Sequence, residues 1–180
     1  MDTINCIKTR RSTRAFQEKK VDTKLIEKIV DIARFAPSWK NSQTTSYIAI
    51  SNEKMKQSVI KYGFAESPRN GAIIDNAPMV VVVLTKNKIS GYSREGVPTD
   101  RGDHWQSFDA GIATDTFVLA AHELGLATLI MGIFDEKGIK KALDIDDTYN
   151  VATVLAVGYA TNVPTCPPRR EVSELLTIIE

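Results

Sequence analysis

Met79-Val-Val-Val-Val-Leu-Thr85 carries no polar side chain before its last residue. Four consecutive β-branched valines favour a pleated strand, and the run is far shorter than the ~20 apolar residues that cross a bilayer. A strand projects side chains alternately to two faces, so one that is apolar on both must be covered on both. The run therefore predicts a central strand between two helical layers. Ser46–Ser51, Ala127–Met131 and Val151–Tyr159 read as its companion strands. Asp2 is placed to cap a helix over Thr3–Thr9, and Asp22 to cap one whose apolar face is Leu25, Ile26, Ile29, Val30, Ala33 and Ala36. Pro37 is expected to stop that helix, because the residue before a proline avoids helical geometry. Further helices are predicted over Glu53–Tyr62, Arg69–Asn76, His104–Leu124, Glu136–Leu143 and Val172–Ile179. Gly63 and Gly125 close the first and third of these. Arg10–Phe16 reads as extended, and Lys86–Asp103, at about 18 residues, exceeds the usual connection and is a lid candidate. The order is an α+β pattern with a mixed sheet.

The chain has 180 residues, with 23 Lys+Arg against 22 Asp+Glu and 43% hydrophobic positions. That length predicts one domain over residues 1–180. Its core needs no disulfide or metal staple. A net charge of +1 argues against a general binder of nucleic acid or acidic membrane. Cys6 and Cys166 lie far apart with no CxxC spacing, which suits a reducing compartment. Residues 1–20 are basic but hold no uninterrupted apolar stretch of the secretory kind. A cytoplasmic protein with no nucleic-acid or membrane partner is expected.

The familiar catalytic signatures are absent. No GxGxxG follows a strand, and neither GxxxxGK[ST], GxSxG nor HExxH occurs. His104 and His122 fall on one predicted helix roughly 27 Å apart, too far to share a metal. No metal site and no catalytic side chain is expected, so any enzymatic chemistry here belongs to a bound cofactor.

Two patches carry binding potential. The arginines cluster as Arg10/Arg11/Arg14 and Arg169/Arg170. In an extended segment Arg10, Ser12 and Arg14 share a face and Arg11 points away. Guanidinium donors flanking a hydroxyl suit a phosphate, although a solvated basic arm reads equally well from the spacing. Arg169 and Arg170, in a proline-stiffened tail, read either as closing on the same anion from the other end or as a loose basic tail. The loop Ala36-Pro37-Ser38-Trp39-Lys40-Asn41-Ser42-Gln43 offers amide and hydroxyl groups suited to a heterocycle's polar edge.

Together these motifs resemble the nitroreductase family of flavin mononucleotide (FMN) enzymes. The carriers are Arg-Arg-Ser-Thr-Arg-Ala-Phe (10–16), Ala-Pro-Ser-Trp-Lys-Asn-Ser-Gln (36–43) and Asp109-Ala110-Gly111-Ile112-Ala113. Ala120–Leu126 with Met131-Gly132, and Pro-Pro-Arg-Arg (167–170), complete the set. The resemblance implies a three-layer α+β fold, with a central mixed, mainly antiparallel sheet flanked by helices, in an interlocked homodimer. It places Arg10 and Ser12 on the FMN phosphate, with Arg11 nearby and Arg169 or Arg170 closing the site. Arg14 would lie near the N1/O2 edge of the isoalloxazine. Pro37, Ser38, Trp39 and Asn41 would come from the other subunit, while Ile130, Met131 and Gly132 pack on the ring. The tail 161–180 would reach over the flavin site or the partner. Electrons would pass from NADH or NADPH through flavin N5 to a nitroaromatic or quinone acceptor in ping-pong order. Other flavin chemistry on this fold, a non-catalytic FMN-binding protein and a basic-arm interaction module are the competing readings. The chain departs from the family pattern at Thr44-Thr45 and at Ala127-Thr128-Leu129, and it lacks the helical insertion of longer members.

Overall fold

The computed structural model describes residues 2–180. The valine run becomes β2 (Met79–Lys86), paired antiparallel with β1 (Thr45–Ile50) on one side and β4 (Tyr149–Gly158) on the other. β3 (Ala127–Met131) pairs antiparallel with β4, so the strand order is β1-β2-β4-β3. The four strands are all antiparallel. The mixed character comes from a single parallel bridge, Ser12 to Thr128, which docks the extended Arg10–Phe16 segment on the β3 edge. That dock is fastened by Thr13 N donating to the Thr128 carbonyl (2.9 Å) and Gln17 N to that of Tyr159 (2.8 Å).

The alternation along β2 sorts the core into two clusters. Val80, Val82 and Leu84 meet α3 (Glu53–Gly63), α4 (Pro68–Asn76) and α6 (Glu136–Leu143) through Val59, Ile74 and Ile139. Val81 and Val83 face α2 (Thr23–Ala33) and α5 (His104–Glu123) through Ile29, Phe117 and Ala121. Each fully buried aliphatic side chain contributes roughly 1.5–3 kcal/mol against the entropy of ordering the chain. The expected three layers are present, with α1 (Thr3–Thr9) lying against α5.

Two expectations change. α2 ends at Ala33, not at Pro37: Arg34 is its C-cap, and Phe35 and Ala36 donate to the carbonyls of Ile32 and Ala33 in a tighter turn. The predicted helix over Val172–Ile179 is only a single 3₁₀ turn, Val172–Glu174. Its apolar side chains are exposed, up to 93% at Ile179, and so short a helix does not hold without packing.

Candidate functional site

The basic arm begins where α1 stops. Arg10 is the C-cap of α1, and its backbone is still leaving the helix, so strict alternation starts only after it. Arg10, Arg11 and Thr13 consequently line one cavity of about 310 Å³ with Thr9, Thr128 and His122. Ser12 and Arg14 do not line it. The Arg11 guanidinium donates to the carbonyls of Lys8 (2.7 Å) and Arg10 (2.8 Å), which ties the arm to the end of α1. His122 Nε2 lies 2.9 Å from Thr9 Oγ1, and its pKa is lowered first by burial, then by the charge of Arg10. Among the described residues, no carboxylate lines this cavity. Two guanidiniums, an imidazole and three hydroxyls make a donor set that fits a phosphate.

Following β3 away from that cavity leads to a different surface. Ile130 is exposed, Met131 is buried, and Gly132 and Ile133 are exposed again. A Cβ built on Gly132 would meet nothing within 4 Å, so this stretch is an open apolar platform. Thr153 Oγ1 and Asn70 Nδ2 donate to the carbonyls of Met131 (2.8 Å) and Ile133 (3.2 Å), holding the platform's edges. Met131 thus offers its backbone only. Thr128 and Gly132, at the two ends, are about 13 Å apart by strand rise. A phosphate pocket and an apolar platform on one strand fit the two halves of FMN.

The loop after α2 is built differently. Lys40, Asn41 and Gln43 have φ of 47°, 54° and 48°, a left-handed region that costs non-glycine residues roughly 1–2 kcal/mol each. Asp109 on α5 holds this loop. Its carboxylate, 2% exposed, accepts from Trp39 N at 3.0 and 3.1 Å, from Ser42 Oγ at 3.3 Å and from Ser90 Oγ at 2.6 Å. The sequence reading noted Asp109 only as part of a motif and missed its role. Ser38 Oγ in turn accepts from Gln43 N (3.0 Å), and Lys40 Nζ sits 4.5 Å from the Trp39 ring centroid. Pro37 and Ser38 line a groove of about 860 Å³ between α2, β1 and α5, into which neither Trp39 nor Asn41 projects. Tyr47 lines the same groove; its hydroxyl donates to Ala113 O (3.3 Å), and burial pushes its pKa up to about 12.

Of the lid candidate, residues 86–103, Lys86 is the last residue of β2 and the rest form a turn-rich loop rooted on α5. Lys88 N donates to Gln106 Oε1 (2.8 Å), Thr99 N to Gly91 O (2.8 Å) and the Tyr92 hydroxyl to Asp103 (2.7 Å). The tail arginines stay within the tail: Arg169 donates to the Pro167 and Pro168 carbonyls and Arg170 to that of Glu174. Neither lines the cavity of Arg10. Arg10/Arg11, Ile130 and Pro37/Ser38 line three separate hollows of one chain. No group of three or more His, Cys, Asp or Glu among the described residues is placed to hold a metal.

The family described as Nitroreductase family matches residues 7–159. A provisionally named NADH dehydrogenase/NAD(P)H nitroreductase of Methanothermobacter thermautotrophicus is 29% identical over 168 residues, covering 91% of this chain and 80% of that protein. A nitroreductase family protein from Clostridium difficile 630 superposes with a TM-score of 0.81 at 28% identity, over 98% of both chains. A provisionally assigned nitroreductase in complex with FMN, from Exiguobacterium sibiricum 255-15, has a TM-score of 0.88 at 20% identity. It covers 99% of this chain and 98% of its own.

Proposed function

This chain belongs to the nitroreductase family, and on that premise we propose that it is an FMN-dependent oxidoreductase. It takes electrons from NADH or NADPH and passes them to nitroaromatic, quinone or similar acceptors. One observation carries the reading: a carboxylate-free basic cavity and an open apolar platform lie at opposite ends of β3.

When bound, FMN supplies the hydride-exchanging centre, so the absence of any nucleophile or acid–base pair in the sequence is no obstacle. The chain's own residues have the work of binding and positioning. Arg10, with the hydroxyls of Thr9, Thr13 and Thr128, takes the phosphate, while Arg11 holds the arm in place and lends its charge; Ser12, outside that lining, docks the arm on β3 through Thr128. Arg14 presents a fixed positive charge to the ring's polar edge, and in a site shielded from water such a charge stabilises negative charge that develops there. Ile130, Gly132 and the Met131 backbone exclude water from one face. Donor and acceptor occupy the opposite face in turn, one leaving before the other enters, which is a ping-pong order.

The rest of the site comes from a second copy. Pro37, Ser38, Trp39 and Asn41 lie on a loop remote from β3 in sequence, and Pro37 and Ser38 line a different hollow, which supports this loop's walling the ring of a partner. Exposed Phe108, Ile130 and Ile133 and the bare apolar tail support a homodimer in which residues 161–180 wrap the partner and bring Arg169 or Arg170 to its phosphate. The whole chain, 1–180, acts in this reading as one domain. Two unpaired cysteines suit the cytoplasm, and no helix among the described residues is long and apolar enough to cross a membrane.

The test is the visible absorption spectrum of the purified protein, followed by anaerobic addition of NADH or NADPH. An oxidised-flavin spectrum that bleaches with either donor is the expected result. A protein that is colourless and also fails to take up added FMN overturns the reading.

A further inference from the structure

Asp109 stands out because it joins two segments that the chain separates widely. Trp39 is 70 residues away and Ser90 is 19, yet both donate to the same carboxylate. The three donors are a backbone N–H and two hydroxyls, with no cation among them. Ser90 is completely buried, so its 2.6 Å bond to Asp109 is shielded from competing water. Charge-assisted bonds of this kind are the strong members of their class. Gln106, one turn earlier on the same face of α5, repeats the device by accepting from Lys88 N at 2.8 Å. The left-handed residues at 40, 41 and 43 show that the loop does not hold its shape by local preference alone.

We propose that Asp109 is a positioning residue that clamps the Ser38–Gln43 loop and the Lys88–Tyr92 segment to one point on α5. Through that clamp it sets the ring-facing wall that each copy contributes to the other. The two segments then move as one unit, and loosening either is felt at the cofactor. The clamp itself stands on the hydrogen bonds alone. Its effect on flavin rests on the function proposed above.

Hydrogen exchange on the full-length protein, read by peptide, tests the clamp independently of activity. In Asp109→Asn an amide replaces one of the two accepting oxygens. Exchange is expected to rise on the order of tenfold at 38–43 and at 88–92, the scale of one lost bond to a charged group. β2 and β4 should stay protected. FMN affinity of the flavin-stripped variant should fall by a similar factor. Ser90→Ala is the milder second variant, available if Asp109→Asn does not fold, and it should loosen both segments by a smaller factor. Unchanged exchange at 38–43 in Asp109→Asn, or a rise in Ser90→Ala confined to 88–92, overturns the clamp. A loosened loop with unchanged FMN affinity overturns its part in positioning the cofactor. If the unsubstituted protein takes up no FMN, the proposed function fails, and exchange alone still decides the clamp.

Discussion

His122 closes α5 beside Arg10 and Arg11, and it gives the molecule a pH response whose sign follows from its surroundings. Burial and the two cations favour the neutral ring, against a smaller opposing pull from Glu123, so its pKa lies below the ordinary value. An unfolded histidine titrates near 6.5. Below that value the unfolded chain binds more protons than the folded one, so stability rises with pH across this window. The contribution is complete above about pH 6.5 and is lost as pH falls toward the folded pKa. Thermal melts at pH 7 and pH 5.5 should show this loss in the unsubstituted protein and a smaller one in His122→Gln. Glu53 and Asp146, whose pKa values are also lowered, begin from ordinary values of 4.5 and 3.8 and lose their contributions at lower pH. At this scale the sequence is readable where bonds are local. Asp2 and Asp22 read as caps from the sequence, and each accepts from a backbone N–H two or three residues on, as Asp135 does at the start of α6. Asp109 was opaque because its partners are brought to it only by the fold. The same holds for the gathering of Arg10 with Arg11, which depends on how the backbone leaves α1.

Among the elements, periodicity found the strands and helices that bury a face of their own. β3 and α6 begin and end where the sequence placed them, because Asp135 and the switch to an apolar run mark their limits. α2 stops early since its last apolar residue with a buried seat is Ala33; Ala36 has no such seat to reward another turn. The α3–α6 contact holds a constraint that no pattern of apolar residues reveals. A Cβ on Gly138 would sit 1.8 Å from the Tyr62 carbonyl oxygen and 2.5 Å from its carbon, and this neighbour is backbone that cannot rotate aside. Gly138→Ala should therefore lower stability by about 1–3 kcal/mol, the usual cost of overpacking. Urea denaturation checks this: the midpoint should fall while the slope is kept.

For the molecule as a whole, the last ten residues matter most. Val172, Leu175, Leu176, Ile178 and Ile179 are exposed on their own chain, and a second copy is their expected seat. Deleting residues 171–180 should weaken self-association by at least an order of magnitude, about 1.4 kcal/mol for each tenfold. Sedimentation across a concentration series would read it directly, and flavin retention should fall with it. An identical sedimentation profile would remove the tail from the interface. The bridges from Ser12 to Thr128 and from Phe16 to Ala160 have a further consequence, in the order of events during synthesis. The arginine arm is made first, but the strands it must lie against are made last. A nascent chain thus carries that arm without its first mooring until residue 128 has emerged and without its second until residue 160. Capture of the cofactor then becomes a closing step of biogenesis, one that a half-made chain cannot perform.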